Sequence, residues 1–581
     1  MPPERTIPAA APTDLPTFTI LVDGEALSRE YHVLGVVVVK MINKISFAKL
    51  ILRDGDPAAQ DFAASASDLF LPGNAIEIKG GYHRQEASLF KGLITRHGIK
   101  SAPGRPSMLI VECRHAALKM SLHSKSKYFY DLKDSDLFAR IIDGHAIAHR
   151  IEATQTQHRV LVQYASSDWD FVVGRAEANG LMVLTNGDEI QVIKPDTTAD
   201  PALSLQYGAT LLEFEAQMDA RDQLAGLSCQ AWDPANQQWQ AAEGQEPQLA
   251  EQGNVAAADL ADAAGGESAG QAHGGYLTSD ELQAWADAGL LKSRLARIQG
   301  RAKCIGFGAI QAGDMLELAG MGARFNGRAL VSGVRHEFGG GTWTTELQFG
   351  GEPRWFLGQH PPAPPAAALI PPVSGLQIGI VTALAGDPDG EERIQVRMPL
   401  IGADEEGLWA RLASLDAGNN RGAIFRPEID DEVVLGFLHD DPRQAVVLGM
   451  LHSSAKPTPI AASDDNHQKG FVTRSGIAVR FDDDKVSVTI QTPNGNTVTL
   501  SDDDGGIRLA DENSNTLVLN ADGITIESAS DINIKAGGDV NIEGVNTNAK
   551  ASAQFKAEGS AGAELSSSAT AVLRGSMVQI N

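Results

Sequence analysis

His145 and His149, in the stretch DGHAIAHR, stand four residues apart. On a helix that spacing lets two imidazoles hold one metal ion. Ala146 stands where a zinc protease has its glutamate, and no third ligand is evident, so no metal site is predicted. Asp482, Asp483 and Asp484, and again Asp502, Asp503 and Asp504, offer the carboxylate oxygens that calcium takes. Neither run has the spacing of a calcium loop or of the glycine-rich nonapeptide repeat, and solvated turns between strands are the better reading. Cys113, Cys229 and Cys304 are too scattered for a zinc site or a disulfide framework and read as buried small hydrophobes. There is no nucleophile elbow, phosphate loop or dinucleotide fingerprint. GFGAIQAG and GGDVNIEG contain glycines but lack the strand–glycine–helix context that binds phosphate. The expectation is therefore a protein with no catalytic residue, no metal and no cofactor, and not an enzyme.

The chain has 581 residues, with 48 basic and 74 acidic side chains and a net charge of −26. Length alone suggests about three or four domains. The charge argues against general affinity for nucleic acid or an anionic membrane, both of which reward a basic surface. The amino terminus, MPPERTIPAAAPTDLP, lacks the apolar core of a secretory signal. The longest apolar run, VLGVVVV from Val33 to Val39, falls far short of the roughly 18 residues of a spanning helix and predicts a buried strand. The chain is expected to be made in the cytoplasm and, if it leaves, to leave by another route.

Residues 1–15 form a Pro/Ala-rich tail. Strands and helices alternate from Phe18 to about Lys194. SSDWDFVVGRAEANG predicts a short helix capped by Ser167 and Asp170 and stopped at Asn179-Gly180. Residues 233–276, rich in Ala, Gly, Gln and acids, predict a flexible insertion. A second helix comes next, with Thr278 and Glu281 as a capping box and Leu282, Trp285, Leu291, Leu295 and Ile298 on one face. Residues 360–374 are a stiff proline linker and a domain boundary. Five short strands in residues 375–452 fit a small closed OB-type barrel. That barrel lacks the basic, aromatic face of an oligonucleotide or sugar binder, since Trp409 and Phe437 are its main large aromatics. A polar link, 453–470, leads into residues 471–581, which carry no helix signal.

Within that last region the sequence repeats every eight residues. Ile524, Ile532 and Val540 are in step, as are Ile526, Ile534 and Ile542. Eight residues of strand and turn trace at most about 26 Å, too short a perimeter for one chain to enclose a filled coil. Single-chain solenoids use about 20 or more residues per coil, which three chains of eight together supply. The period therefore predicts a trimer wound about a three-fold axis. The Ile and Val positions point to the axis, and Thr525, Asn533 and Asn541 point outward. Weaker octads continue through Leu565 and Leu573. The predicted needle core is Ile524, Ile526, Ile532, Ile534, Val540, Ile542, Leu565 and Leu573.

Several stretches resemble a known family in the expected order. VTALAGDPDGEERIQVRMP, LWARLAS and FRPEIDDEVVLGFLHDDPRQAVVLGMLHS look like the OB-fold of VgrG-family spikes of contractile injection machines and of phage tail spikes. VLVQYASSDWDFVVGRAEANGLMV and FNGRALVSGVRHEFGGGTW resemble the same family's phage-hub-like region, here 16–359. FTILVDGEALSREYHVLGVVVVKMINKISFAKLILRDGDPAAQDFA looks closer to spikes of extracellular injection particles than to those of type VI secretion. The implied fold is mainly β with some α: an α+β hub, an OB barrel and an intertwined triple-stranded β-helix needle.

The resemblance implies a homotrimeric structural spike at the centre of a baseplate, part of a phage-tail-like particle released from the cell or fired across its envelope. It would contact baseplate and inner-tube proteins, puncture a target membrane mechanically, carry cargo effectors and bear a small PAAR-type tip protein. Met577, Val578, Ile580 and Asn581 are the expected tip contacts. In phage spikes a lysozyme lies between barrel and needle, whereas here Ser453 to Gly470 leaves no room for one. The alternative is a trimeric β-helical tailspike that degrades polysaccharide or binds a receptor. The first needs paired carboxylates flanked by aromatics, yet the needle region has only Phe471, Phe481 and Phe555 as aromatics. The second needs a globular head beyond the shaft.

Overall fold

The computed structural model describes residues 15–361 and 363–580. Two compact units appear: Met1–Gly375 with Phe437–Gln444, and Leu376–Gly436 with Ala445–Asn581.

The first unit is built on a 13-stranded sheet. The valine run forms the strand Val33–Met41, in which alternate residues point inward and Val36 and Val38 are fully buried. One side of this strand pairs with Lys44–Arg53, its hairpin neighbour. The other side pairs antiparallel with Gly327–Gly339, with His336 opposite Val38. That second pairing joins strands from the two ends of the unit into one sheet. Two cores result. One is built around Leu50, Ile78, Phe90 and Leu109, the other around Ile298, Leu316, Leu347 and Phe349.

Between these strand sets the chain forms a two-stranded ribbon, Ser124–Lys133 with Gln157–Ser167, and helices α1 (Asp134–Asp143) and α2 (Asp168–Ala178). Ser167 caps α2 as expected: its Oγ accepts from the Asp170 amide at 3.0 Å. Gly180, at φ +67°, supplies the left-handed stop, because only glycine takes that conformation without steric cost.

The expectation of a flexible insertion at 233–276 is corrected. The segment holds the strands Gln238–Glu243 and Ala269–His273 and a short helix α3 (Ala257–Ala263). Both strands flank Leu227–Asp233 in a three-stranded sheet. Helix α4 (Ser279–Leu295) covers one face, burying Leu227, Cys229 and Ala231 against Leu282, Ala286 and Leu290. Few large apolar residues are needed because only one face is buried. Trp232 and Trp239 meet edge to face across the hairpin, 5.6 Å apart. Thr278 caps α4, but Glu281 does not complete the reciprocal box. Its carboxylate turns to Arg175 instead, at 3.2 Å. The helix ends at Leu295, so Ile298 opens a strand rather than extending the helical face.

In the second unit, five strands (Gln377–Ala383, Ile394–Arg397, Leu408–Leu412, Glu432–Phe437 and Ala445–Met450) close into a barrel. Val381, Val396, Ala410, Val433, Leu435 and Val447 fill it and are fully buried. Each such large side chain contributes roughly 1.5–3 kcal/mol.

Beyond the barrel the structure departs from the expectation of one octad needle. Residues 468–527 form a seven-stranded antiparallel meander with strands of five residues each. Its unit is a hairpin repeat rather than an octad. Gly476, Gly495 and Ser514 recur at one step, all with positive φ (+87°, +91° and +71°). The octad's first members, Ile524 and Ile526, lie on the meander's last strand, Gly523–Glu527. Residues 528–580 pair with no other strand in the single chain.

Candidate functional surface: one apolar face of the meander

A lone antiparallel sheet has two faces, and strict alternation assigns each residue to one of them. The register of the meander is continuous. Val479 pairs with Ile490 and Phe481 with Val488; Val488 pairs with Leu500 and Ile490 with Val498. Val498 then meets Leu509, and Leu500 meets Ile507. Leu517 and Leu519 continue the pattern and end opposite Ile526 and Ile524. Every one of these residues therefore lies on the same face. Phe471 extends it, and Lys469 at the first strand is the exception. Central positions of the other face hold Arg480, Thr489, Thr499, Arg508, Val518 and Thr525. Tight turns return each strand in the same phase. One such turn is closed by the Asp482 carboxylate, which accepts from the Asp484 and Lys485 amides at 3.2 Å.

Among the described residues no second sheet covers this face, and Phe425 stacks on Phe471 at its first strand with ring centroids 5.2 Å apart. Phe481 is 40% exposed, Leu500 46% and Ile524 70%. An exposed apolar patch this extensive marks an association surface. The predicted needle-core residues behave in the same way. Ile526, Ile532, Ile534, Val540, Ile542, Leu565 and Leu573 are all exposed in the isolated chain, as are Met577, Val578 and Ile580. Asn581 lies outside the described residues. The structure thus places Ile524 and Ile526 together on the meander face and leaves the later octad residues exposed in the single chain. The meander face itself was missed. Its signal is an apolar pair at alternate positions, recurring at steps of nine and ten residues from Val479 to Leu519, a spacing distinct from the octad.

The candidate chemistry resolves into ordinary packing. His145 follows α1 and His149 sits on the strand Ala148–Ile151, so they share no helix face. His145 Nε2 lies 2.7 Å from Asp168, and His149 Nε2 lies 3.2 Å from Asp143. Among the described residues no group of three or more His, Cys, Asp or Glu could hold a metal ion. Burial pushes the Cys113 and Cys304 thiols up to about 12 and Cys229 up to about 11, so all three are inert at neutral pH. Asp134 anchors the main polar network. It accepts from Arg175 Nε and Nη2 at 2.8 Å, Asn179 Nδ2 at 3.0 Å and His158 Nε2 at 2.9 Å. Burial pushes its carboxyl up, but these partners outweigh burial and hold it below the ordinary carboxylate range. The network ties α1, α2 and, through Glu281, α4 together.

Residues 12–339, more than half of the chain, match the family described as the Alg8 N-terminal domain. Residues 377–452 match the type VI secretion system/phage-baseplate injector OB domain, and 487–581 the phage baseplate V C-terminal trimerisation domain. The type VI secretion spike protein VgrG4b of Pseudomonas aeruginosa is 36% identical over 103 residues, 16% of this chain and 13% of the relative. The chain belongs to the family described by the Alg8 N-terminal domain and is similar to VgrG spike proteins. VgrG1b of the same organism is 26% identical over 223 residues, 35% of this chain and 29% of that one. The chain thus spans less than a third of the length of these VgrG relatives. Among solved structures, a component of the Escherichia coli type VI secretion system, described as similar to the T4 tail proteins gp27 and gp5, aligns over 74% of this chain and 99% of its own. Its identity is 11% and its TM-score 0.37.

Proposed function

We propose that this VgrG-like chain is the structural central spike of a contractile injection machine and works as a homotrimer. The carrying observation is the open apolar face of the meander. Three copies that turn these faces toward a common axis enclose them, and the octads continue the same axis in intertwined form. A shaft of this kind is hydrogen-bonded around its circumference, so an axial load meets many bonds at once. Such a shaft suits mechanical puncture of a membrane. The hub-like unit engages baseplate and tube, and its sheet leaves the strand Leu211–Met218 open at one edge for a neighbouring copy. The exposed Val578 and Ile580 take a PAAR-type tip.

The reading assigns no enzymatic step. It places the chain in a phage-tail-like particle, with an extracellular particle favoured by the sequence of the first strands. Among the described residues no helix is long and apolar enough to cross a membrane. The test is native mass. The purified chain should run at three times 61.6 kDa, and a stable monomer that keeps its full β signal overturns the reading.

A further inference from the structure

Lys40 occupies an inward position of the strand Val33–Met41, in line with Val36 and Val38, and is 5% exposed. Burial alone pushes its amine down to about 8. A neighbouring carboxylate would have raised it, and among the described residues none forms an ion pair with it. Among the described residues the one side chain hydrogen-bonded to Nζ is the Gln311 carboxamide, whose Oε1 accepts at 2.8 Å. Gln311 is held in place. Its amide donates to Asp314 Oδ2 at 2.8 Å, and its neighbours Ile310 and Ala312 are buried.

A third group completes the cluster. His336 is 1% exposed. Val334 pairs with Lys40 and His336 with Val38, so amine and imidazole rise from one face at diagonal positions, within reach of a long side chain. Thr345 Oγ1 donates to the Phe307 carbonyl at 3.3 Å and therefore accepts from His336 Nδ1 at 3.0 Å. That tautomer leaves the lone pair on Nε2. Burial first, then the Lys40 charge, pushes the imidazole down to about 3, so it is neutral at pH 7 and would carry a proton only transiently.

We propose that the folded protein joins Lys40 to Gln311 by an intramolecular isopeptide bond. The neutral Lys40 Nζ attacks Cδ of Gln311, the Nζ–Cδ bond forms, and the Cδ–Nε2 bond of the carboxamide breaks. His336 Nε2 takes the proton from Nζ and returns it to the departing nitrogen, which leaves as ammonia. Nothing is oxidised or reduced, and no other reactant enters. Two features favour the step. Both reactants are held in contact by the fold, which raises their effective concentration. The product is uncharged, so the cost of a buried, unpaired ammonium disappears. The bond would tie the first strand set of the large sheet to the segment that leads into Met315–Ala319. That is the seam where strands from the two ends of the unit meet, and a covalent tie there keeps them together under load.

The test is the intact mass of the full chain, followed by proteolysis and tandem sequencing. The expected result is the loss of one ammonia, about 17 Da, with a branched peptide joining the Lys40 and Gln311 segments. Both should be absent from Lys40→Met and Gln311→Met chains. Succinimide at Asn494-Gly495 loses the same mass, so the branched peptide decides. A His336→Asn chain should accumulate the bond at least about tenfold more slowly, and an equal rate overturns the proton-transfer role. Wild-type protein recovered at its sequence mass, with linear Lys40 and Gln311 peptides, overturns the proposal whether or not the variants fold.

Discussion

Leu500 sits near the middle of the meander's apolar face, and Thr499 is its neighbour on the polar face. In the isolated chain Leu500 is still 46% exposed, so association covers about half of its side chain and gains about 1 kcal/mol per copy. Leu500→Asp forfeits that gain. It also brings a carboxyl that must be neutral to sit on a dry axis. Protonating a carboxyl of ordinary pKa at pH 7 costs about 4 kcal/mol, the ceiling of the penalty, because the site can always take the protonated form. The sum is about 5 kcal/mol per copy and about 15 per trimer, or about eleven decades in the association constant. The pH dependence has a definite sign. The carboxyl's pKa is raised in the assembled state, so acid favours assembly, by about three decades for each unit of pH because three carboxyls titrate together. Thr499→Asp puts the same charge in water and should change little. Sedimentation or mass photometry of both variants at pH 7 and pH 6 reads the outcome. A Leu500→Asp protein that stays trimeric at pH 7, or a Thr499→Asp protein that dissociates equally, would show that the apolar face is not the one enclosed.

Further along the shaft, Ile534→Asp should lower trimer yield far more than Thr525→Asp, and equal yields would mean that the octad's inward and outward positions are exchanged. Asp134→Asn should destabilise the hub-like unit by about 1–3 kcal/mol in urea unfolding, because it removes the carboxylate that Arg175, Asn179 and His158 share and leaves Arg175 paired with Glu281 alone; a loss below about 0.5 kcal/mol would mark the network as incidental. His336 binds its proton only near pH 3 when folded but near 6.5 when unfolded, so stability should fall as pH drops below about 6.5, by about 1.4 kcal/mol per unit. Thermal melts of His336→Asn should show a shallower acid slope, and an unchanged slope would assign the dependence to another group. Removing Met577–Asn581 should leave the trimer intact but abolish co-purification of the PAAR-type tip, whereas full retention would place the tip contact elsewhere.

Local signals in the sequence were enough for much of this architecture. The valine run reads as a buried strand because β-branched residues fit a pleated core, and Val36 and Val38 are buried as that reading requires. Ser167 announces its helix because its hydroxyl can reach only nearby amides. The barrel is legible because its five apolar runs are short and separated by turns. The octad speaks for association because eight residues cannot enclose their own interior. Tertiary structure alone decided the rest. Nothing local pairs Gly327–Gly339 with Val33–Met41, since that register is set by burying two distant apolar strands together. The segment 233–276 reads as polar and small because its order comes from one shared face under α4, not from its own composition. In the meander, each strand places at most two apolar residues on that face, too few to orient it alone. Only the turns that return every strand in phase place those pairs on one face, and that face lies largely open because, among the described residues, no second sheet packs over it.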